Sequence, residues 1–476
     1  MIKSPAVLAV LLAGVALGGC NMAPRYARPA GAVPPALPQG GVYPADTADV
    51  SAIGWRDFFT DPRLRDVIAL GLEHNRDLRL AAANVLQARA QYRIQRAGLL
   101  PIVNVDATAT IGNSRGLSGG RTGATTVGTT TGDPTIEVYQ ANVGVSAFEL
   151  DLWGRLRNLN AAALQQYFAT AEAQRAARIS LIAEIASAWL TLAADQDQLA
   201  IARETLASFR QSLDLTGAQF RVGTASELEV RQADTNYQAA RGDIAVLQAQ
   251  IAQDRNALNL LVGTTVGDPL LPAELGTDNH TLAQLPAGLS SEVLLRRPDV
   301  QQAEHQLIAE SANIGAARAA MFPTISLTAS FGTISNALSG LFGSNSEAWS
   351  VAPAATLPIL NFGRGSGNLA AAKARQQGAV ATYEKTLQAA FRDVADALAT
   401  RGTIDEQVSA RSARADSAVV AGRLADARYR AGVESFLTTL DAQRTAYGAR
   451  RDLVTTRLNR ATNLVGLYRA LGGGLN

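Results

Sequence analysis

The sequence has a single cysteine, Cys20, and only three histidines. One cysteine excludes an intramolecular disulfide. The histidines His74, His280 and His305 are scattered without metal-ligand spacing, and no Ser/His/Asp or Cys/His arrangement, P-loop or GxGxxG motif accompanies them. The sequence therefore predicts no enzyme, no metal site and no cofactor.

Aromatic residues make up only 5% of the 476 residues, although hydrophobic residues reach 47%. This composition favours long helices with thin apolar seams over one large aromatic core. The chain also lacks a large excess of charge of either sign, since 43 basic and 41 acidic residues leave a formal net charge of +2. These charges are interspersed along the chain, so a nucleic-acid partner is not expected.

Long apolar runs are absent after Cys20, so no transmembrane helix is predicted. The one run, at residues 6–17, follows Lys3 and is too short to span a bilayer, which indicates a secretory signal peptide over residues 1–19. The sequence Leu-Gly-Gly-Cys at 17–20 resembles a bacterial lipobox, in which the cysteine becomes the acylated first residue of the mature protein. We therefore expect Cys20 to be lipidated.

The segment after this cysteine is rich in proline. Six prolines fall within residues 21–50, and their density favours extended or polyproline II backbone. We expect residues 20–60 to form a lipid-anchored linker or surface strap.

The rest of the chain consists of two similar halves. Three motifs recur at matching positions, namely RAGLLP at 96–101 with RAAMFP at 318–323, WGR at 153–155 with FGR at 362–364, and FRVG at 220–223 with YRAG at 429–432. This duplication predicts a first structural repeat over 61–270, a linker over 271–290 and a second repeat over 291–476. Each repeat is expected to contain a helix, two strands joined by a loop, and a long helix pair joined by a tight turn.

The strands are predicted from alternating apolar and polar residues. They cover about residues 99–112, 139–152, 323–335 and 347–360, and the second carries Tyr139, Ala141, Val143, Val145 and Ala147 on its apolar face. About ten residues of such alternation are typical of a transmembrane strand, while half-buried strands of a soluble sheet are the alternative. The residues at 112–138 are mostly Gly, Thr, Ser and Asn and suit a mobile loop outside the cell.

Four strands cannot close a barrel by themselves. Small barrels need about eight strands, and an open sheet edge in lipid is prohibitive. The chain is therefore expected to assemble with copies of itself, and a trimer would supply twelve strands.

The long helices are predicted from a seven-residue repeat. No proline occurs from about 158 to 216, a stretch of roughly 90 Å if helical throughout. Its seam consists of Ile185, Leu192, Leu199, Leu206, Leu213 and Phe220. The returning helix carries a matching seam, so we expect an antiparallel coiled-coil pair.

Together these features resemble the TolC-type outer membrane efflux protein family, in particular its lipoprotein branch of OprM- and NodT-like outer membrane factors. The most specific motifs are LRRPDV at 295–300, AARAAMFPTISL at 316–327, LTTLDAQR at 437–444 and the terminal stretch 467–474. The resemblance implies a mixed α and β membrane protein. In it, a trimeric twelve-stranded transmembrane β-barrel continues into a long periplasmic α-helical coiled-coil barrel.

The resemblance also implies a location and partners. The homotrimer would be anchored to outer membrane lipid, with its helical part in the periplasm. That part would dock end-on to a periplasmic adaptor (membrane fusion) protein bound to an inner-membrane resistance-nodulation-division transporter.

The implied function is the outer-membrane exit channel of a tripartite efflux system, passively conducting drugs or other small solutes. Alternatives within the same fold are the outer-membrane channel of type I protein secretion or of heavy-metal efflux. An alternative from another class is a non-conducting lipoprotein coiled-coil scaffold. Strands with one polar and one apolar face speak against the scaffold.

Two turns between long helices share an Arg-x-Gly signal. Glycine suits the left-handed position that ends a helix, and Ser226 with Glu229 predicts a capping box for the next helix. The resemblance implies that these turns contact the adaptor. The positions concerned are Arg221, Gly223, Thr224, Ser226, Arg430, Gly432, Glu434 and Ser435.

A periplasmic gate is implied next to the second turn. Leu437 and Asp441 are four residues apart and share a helix face, although a lone exposed aspartate is most often a solvated surface group. The resemblance implies that both positions narrow the closed opening, and that Tyr429 and Arg444 belong to the linkages that hold it shut. Exposed ionic linkages are worth only about 0 to 1 kcal/mol each, so several weak interactions would hold the gate.

Overall fold

The computed structural model describes residues 21–38, 40–43, 54–113, 135–275 and 291–473. Cys20 and the predicted lipobox, most of the long first loop and most of the linker lie outside these residues. The main elements are α1 (Pro62–His74), α2 (Arg76–Ala97), β1 (Val103–Asn113), β2 (Thr135–Leu150), α3 (Arg155–Arg221), α4 (Glu227–Val262), α5 (Pro298–Ala319), β3 (Thr324–Ser335), β4 (Glu347–Thr356), α6 (Arg364–Arg430) and α7 (Phe436–Ala470).

The four strands form one antiparallel sheet in the order β1-β2-β3-β4. The register places Val143 opposite both Val105 and Phe331, and Phe331 opposite Trp349. Directly opposed residues point to the same face of a sheet. The apolar residues of all four strands therefore share one face and the polar residues the other, as the alternation predicted.

An irregularity in β2 changes which residues continue the apolar face. The pairing of β2 with β3 shifts between Val145 and Phe148, and Ala147 adopts a φ of 51°. Phe148 then lies opposite Leu327. The simple alternation placed Ala147 on the apolar face. Because the bulge adds one residue, the positions that follow it in β2 point to the faces opposite to those predicted.

The two outer strands of the sheet are hydrogen-bonded on one side only within the described residues. β4 accommodates Pro353 opposite Leu327, as an edge strand can when the proline nitrogen faces away from its neighbour. The strand ends at Thr356, whereas the alternation continues to about 360. Pro358 follows closely and has no N–H to donate to a ladder.

The chain forms two compact units, and each draws segments from both sequence repeats. Of the described residues, the first unit contains those within Met1–Ala27, Gln87–Tyr167 and His305–Val380, which include the sheet. The second contains Arg28–Leu86, Phe168–Glu304 and Ala381–Asn476. The repeats therefore do not fold as two separate bodies.

The repeated design is visible in the long helices. α3 and α6 each have 67 residues, while α4 has 36 and α7 has 35. One stretch of α3 is apolar and long enough to cross a bilayer by length and composition alone, although no such run was expected from the sequence. Half of that stretch is buried within the protein, as in the core helix of a packed bundle.

Polar junctions fix the ends of the strands in the first unit. The Trp153 indole N–H donates to the Pro323 carbonyl at 3.0 Å, and the ring packs 4.9 Å from that of Phe322. Arg155 makes a bidentate pair with Glu149 at 2.8 and 2.5 Å, which holds the start of α3 against the end of β2. The RAAMFP motif of the second repeat and the WGR motif of the first repeat thus meet at one strand-to-helix junction.

The predicted seam of α3 is present in the second unit. Leu199 and Ala202 pack with Leu247 of α4 in a buried cluster. The seam becomes less buried towards the turn, where Phe220 is 46% exposed.

The LRRPDV motif at 295–300 has a structural role. Arg297 is only 9% exposed, and its guanidinium donates to the carbonyl of Ala470 at 2.7 Å. It also binds Asp299 at 2.8 Å and lies 3.6 Å from Asp393 of α6. Arg297 thereby satisfies a carbonyl at the end of α7 and ties that end to α6.

Two carboxyl groups face each other between α3 and α4. Burial, followed by a hydrogen bond with Asp254, raises the pKa of Asp195 to about 6. Because the pKa in the folded state is above the unfolded value, the stabilising contribution is complete below about pH 4 and is lost as pH rises through about 6. We expect Asp195→Asn to stabilise the protein at pH 7.5 by about 1 kcal/mol, after discounting for solvent screening, and to reduce the loss of stability between pH 4 and 7. Thermal unfolding at several pH values measures this, and Asp416→Asn on exposed α6 should change neither quantity.

Candidate functional site

The turn between α3 and α4 is a Schellman motif followed by a capping box. Gly223 has a φ of 80°, and its N–H donates to Phe220 O at 3.0 Å while the N–H of Thr224 donates to Gln219 O at 2.9 Å. Ser226 Oγ accepts from the N–H of Glu229 at 3.3 Å, and the Glu229 carboxylate accepts from the N–H of Ser226 at 2.7 Å. The predicted cap is therefore present.

The turn between α6 and α7 repeats this geometry. Gly432 has a φ of 77°, with bonds from its N–H to Tyr429 O and from Val433 N–H to Arg428 O. Ser435 begins α7 as N-cap and accepts from the N–H of Thr438 at 3.2 Å. Both turns thus satisfy some of the free backbone groups at the ends of their helices from within the chain.

Most of the residues expected to contact an adaptor are exposed on these two turns. They are Arg221, Gly223, Thr224, Ser226, Arg430, Gly432 and Ser435. Three large apolar side chains accompany them, since Val222 is 74%, Leu228 66% and Val433 64% exposed. Exposed apolar residues rimmed by polar ones are typical of interaction surfaces.

Glu434 differs from the other turn residues because its carboxylate is used inside the turn. It accepts from the N–H of Ser435 at 3.2 Å and pairs with Arg428 at 3.3 Å. The bond from Ser435, then one with Thr438, lowers the pKa of Glu434. Glu434 therefore stabilises the start of α7 as an anion.

The two turns are joined by contacts directly behind them. Ala233 of α4 packs with Phe436 and Leu440 of α7, and the ring of Tyr429 lies against this cluster. The Tyr429 hydroxyl donates to Gln219 Oε1 of α3 at 2.5 Å. Burial, followed by the charge of Glu229, raises the pKa of Tyr429, so the phenol keeps the proton that it donates.

The other predicted gate residues lie on α7 and face outward. Leu437 is 63% exposed, and Asp441 and Arg444 are also exposed on the same helix face. Among the described residues of this single chain, neither charged group forms an ion pair or hydrogen bond. The structure therefore brings Leu437, Asp441 and Arg444 onto one face, while Tyr429 is bound to α3.

Sequence reasoning missed several polar contacts along α7. Gln443 donates to Ser212 of α3 at 3.2 Å. Further along, Tyr447 donates to Asp243 of α4 at 2.8 Å, and Arg450 pairs with Glu204 of α3 at 2.6 Å. Polar residues at seam positions of α7 were the available signal, but their partners are more than 200 residues away in the chain.

Within the described ranges, no group of three or more His, Cys, Asp or Glu side chains is placed to hold a metal ion.

Comparison with known proteins places these features in context. The model of the family described as outer membrane efflux protein matches residues 67–264 and 289–473. The toluene efflux pump outer membrane protein TtgC of Pseudomonas putida is 44% identical over 473 residues, covering 98% of this chain and 95% of that protein. The cation efflux system protein CusC of Escherichia coli O157:H7 is 41% identical over 474 residues, covering 99% of both. The solved open state of the Neisseria gonorrhoeae MtrE outer membrane channel matches with a TM-score of 0.81 at 37% identity, covering 96% of this chain and 99% of that one.

Proposed function

The chain belongs to the outer membrane efflux protein family, and from this premise we propose that three copies form a passive exit duct for drugs or other small solutes. It is an outer-membrane efflux channel protein with a periplasmic helical part, from a family of channels and not of enzymes. As a component of an efflux pump it works with an adaptor and an inner-membrane pump, which we propose to be a resistance-nodulation-division transporter.

The single observation that carries the channel proposal is the register of the sheet. It collects Val105, Val143, Phe331 and Trp349 on one face and polar residues on the other. A closed barrel with the apolar face in lipid has a polar interior that conducts water-soluble molecules. β1 and β4 supply the two edges at which copies would join.

The test of this proposal combines assembly and conduction. Light scattering of the detergent-extracted protein should give the mass of a trimer, because an isolated sheet leaves both edges unpaired in lipid. The same preparation should form ion-conducting channels in planar bilayers. A stable monomer with intact sheet content contradicts the assembly, and a trimer that never conducts favours the scaffold alternative.

The helical turns are the proposed docking surface for the adaptor. Exposed Val222, Leu228 and Val433 would supply apolar contacts, and the neighbouring polar turn residues would surround them. The two Schellman turns hold these side chains in fixed positions, so little conformational entropy would be lost on docking.

The gate is proposed to consist of the face of α7 that carries Leu437, Asp441 and Arg444. Copies of this face would converge around the threefold axis, with Leu437 as an apolar constriction and Asp441 as a charged ring. The bond between Tyr429 and Gln219 would hold α6 against α3 within each copy. A docked adaptor could open the ring by breaking these few weak contacts.

The lipid anchor is proposed at Cys20. Cys20→Ala should abolish labelling by a metabolically incorporated fatty-acid probe, because no other thiol exists to carry the acyl group. Gel detection of the labelled protein measures this, with the unmodified chain as the positive control. Equal labelling of the alanine variant rules out lipidation at this cysteine.

Metal cations are a second candidate cargo. The likeness to CusC, whose name specifies cation efflux, is nearly as strong as that to TtgC. If the cargo is organic small molecules, deleting the gene should sensitise cells to organic solvents. If the cargo is metal cations, deletion should sensitise them to metal cations.

A further inference from the structure

Helix α2 carries a stripe of unpaired positive charge. Arg89, Arg93 and Arg96 are spaced by four and three residues, so they share one helix face over a length of about 10 Å. All three are exposed, and among the described residues none of them forms an ion pair. The one acidic residue of α2, Asp77, lies at the opposite end of the helix. The stripe is therefore available to an anionic partner from outside the chain.

The second repeat shows what lies on the same face of the corresponding helix. α2 and α5 each have 22 residues, and each leads into one of the recurring motifs RAGLLP and RAAMFP. Aligned on these motifs, the stripe of α2 corresponds to Ser311, Gly315 and Arg318 of α5. The surroundings of those three residues thus indicate where the stripe faces.

On α5 this face holds the N-terminal segment of the chain. A Cβ atom at Gly315 would lie 2.7 Å from the backbone nitrogen of Ala23, so the segment rests directly on the glycine. Arg318 Nη1 donates to the carbonyl of Met22 at 2.9 Å. The chain has one such segment but two such helix faces. Within the described residues, the face of α2 stays exposed and carries arginines instead.

The same segment indicates the level of the stripe relative to the membrane. Met22 is two residues from Cys20, and a segment that leads to a lipid anchor ends at the bilayer surface. Arg96, the counterpart of Arg318, therefore lies close to that surface. Beyond it, Leu100 is 69% and Ile102 72% exposed on the way to β1. Positive side chains followed by apolar ones match the order of headgroups and hydrocarbon in a bilayer.

We propose that Arg89, Arg93 and Arg96 bind the phosphate groups of anionic phospholipids at the periplasmic surface of the outer membrane. The planar guanidinium group suits phosphate, which it can bind through two parallel hydrogen bonds. This lipid contact is separate from conduction and adaptor docking, and it uses the proposed anchor at Cys20 to place the stripe at the membrane. In a trimer, three acyl anchors beside α5 would alternate with three arginine stripes on α2.

Lipid binding by the detergent-extracted full-length protein tests this proposal. Native mass spectrometry counts the lipids retained from micelles that contain phosphatidylglycerol or phosphatidylcholine. The parent should prefer phosphatidylglycerol, and the triple variant Arg89→Gln, Arg93→Gln and Arg96→Gln should bind it about 100-fold more weakly, since each arginine near an anionic surface favours binding about five-fold. Glutamine is a good helix former, so α2 should remain folded. Salt at about 1 M should reduce binding by the parent towards that of the variant.

The matched control removes the same charge from exposed positions on other helices. Arg203→Gln, Arg423→Gln and Arg469→Gln together should leave phosphatidylglycerol binding unchanged. Equal losses in the two triple variants, or displacement of the lipid by inorganic phosphate at the same concentration, overturn the lipid site.

Two further measurements separate this site from the other proposals. Cys20→Ala should keep the preference for phosphatidylglycerol, because the stripe needs no acyl chain, and loss of that preference overturns an independent lipid site. Planar-bilayer conductance of the Arg89, Arg93 and Arg96 triple variant should equal that of its parent. A parent that binds phosphatidylglycerol but never conducts overturns the channel and supports the lipid site.

Discussion

Asp441→Ala is expected to raise the resting conductance of the reconstituted channel and to weaken its preference for cations. Three copies of this carboxylate near a common axis would concentrate cations, and Arg444 or bound cations would balance their mutual repulsion. Removing the charge would weaken the attraction for cations and remove the proposed pairing with Arg444 or bound cations that would keep the ring narrow. Single-channel recording in asymmetric salt measures conductance and ion selectivity together.

The matched control for this change is Asp416→Ala. Asp416 is exposed on α6, and within the described chain it forms no ion pair, as is also true of Asp441. A solvated surface aspartate is expected to alter neither conductance nor selectivity. If Asp441→Ala behaves like Asp416→Ala, Asp441 is not part of the gate.

Arg297→Met should strongly destabilise the folded protein. The methionine would fill much of the space but would leave the Ala470 carbonyl and the Asp299 carboxylate without the guanidinium that they bind, while Asp393 would keep its pair with Arg392. Breaking a buried charged network costs about 3 kcal/mol at the lower end of the usual range, which suits carboxylates that are partly exposed. The midpoint of thermal unfolding should fall by about 3 °C.

Two further variants separate charge from geometry at this site. Arg297→Lys keeps the charge but lacks the planar fork, so it cannot reach a carbonyl and a carboxylate at once and should recover little stability. Arg296→Met changes the neighbouring exposed arginine and should leave the midpoint within about 1 °C, as surface substitutions usually do. Equal stability of all three variants contradicts the proposed role of Arg297.

Local patterns in the sequence were sufficient to predict several elements. Alternation over about ten residues identified the strands, and the glycines at 223 and 432 identified the two turns. Each of these features depends only on residues that are close together in the sequence. The left-handed backbone conformation that glycine adopts freely is an example. The seam of α3 was predicted for the same reason, since heptad spacing is a local property.

Features that depend on distant partners could not be predicted in this way. No local signal shows that Tyr429 binds Gln219 or that Arg297 reaches Ala470, because both contacts require the relative position of separate helices. The bulge at Ala147 was also missed, since an alternating pattern does not reveal an added residue that only the pairing with β3 exposes. For the candidate site, the sequence located both turns and placed Leu437 and Asp441 on one helix face, but it did not show the contacts behind them. The adaptor and gate roles of these residues stay predictions.

Pro353 in β4 bears on how a newly exported chain avoids incorrect partners before assembly. A free sheet edge offers a row of N–H and C=O groups on which any extended polypeptide can add as a further strand, and this is a common start of aggregation. A proline has no N–H to offer to an added strand, and the early end of β4 at Thr356 shortens the free edge. Incoming strands that need an unbroken ladder are therefore disfavoured. The β4 edge, at which we propose that copies join, is thereby made a poor template for amyloid-like growth.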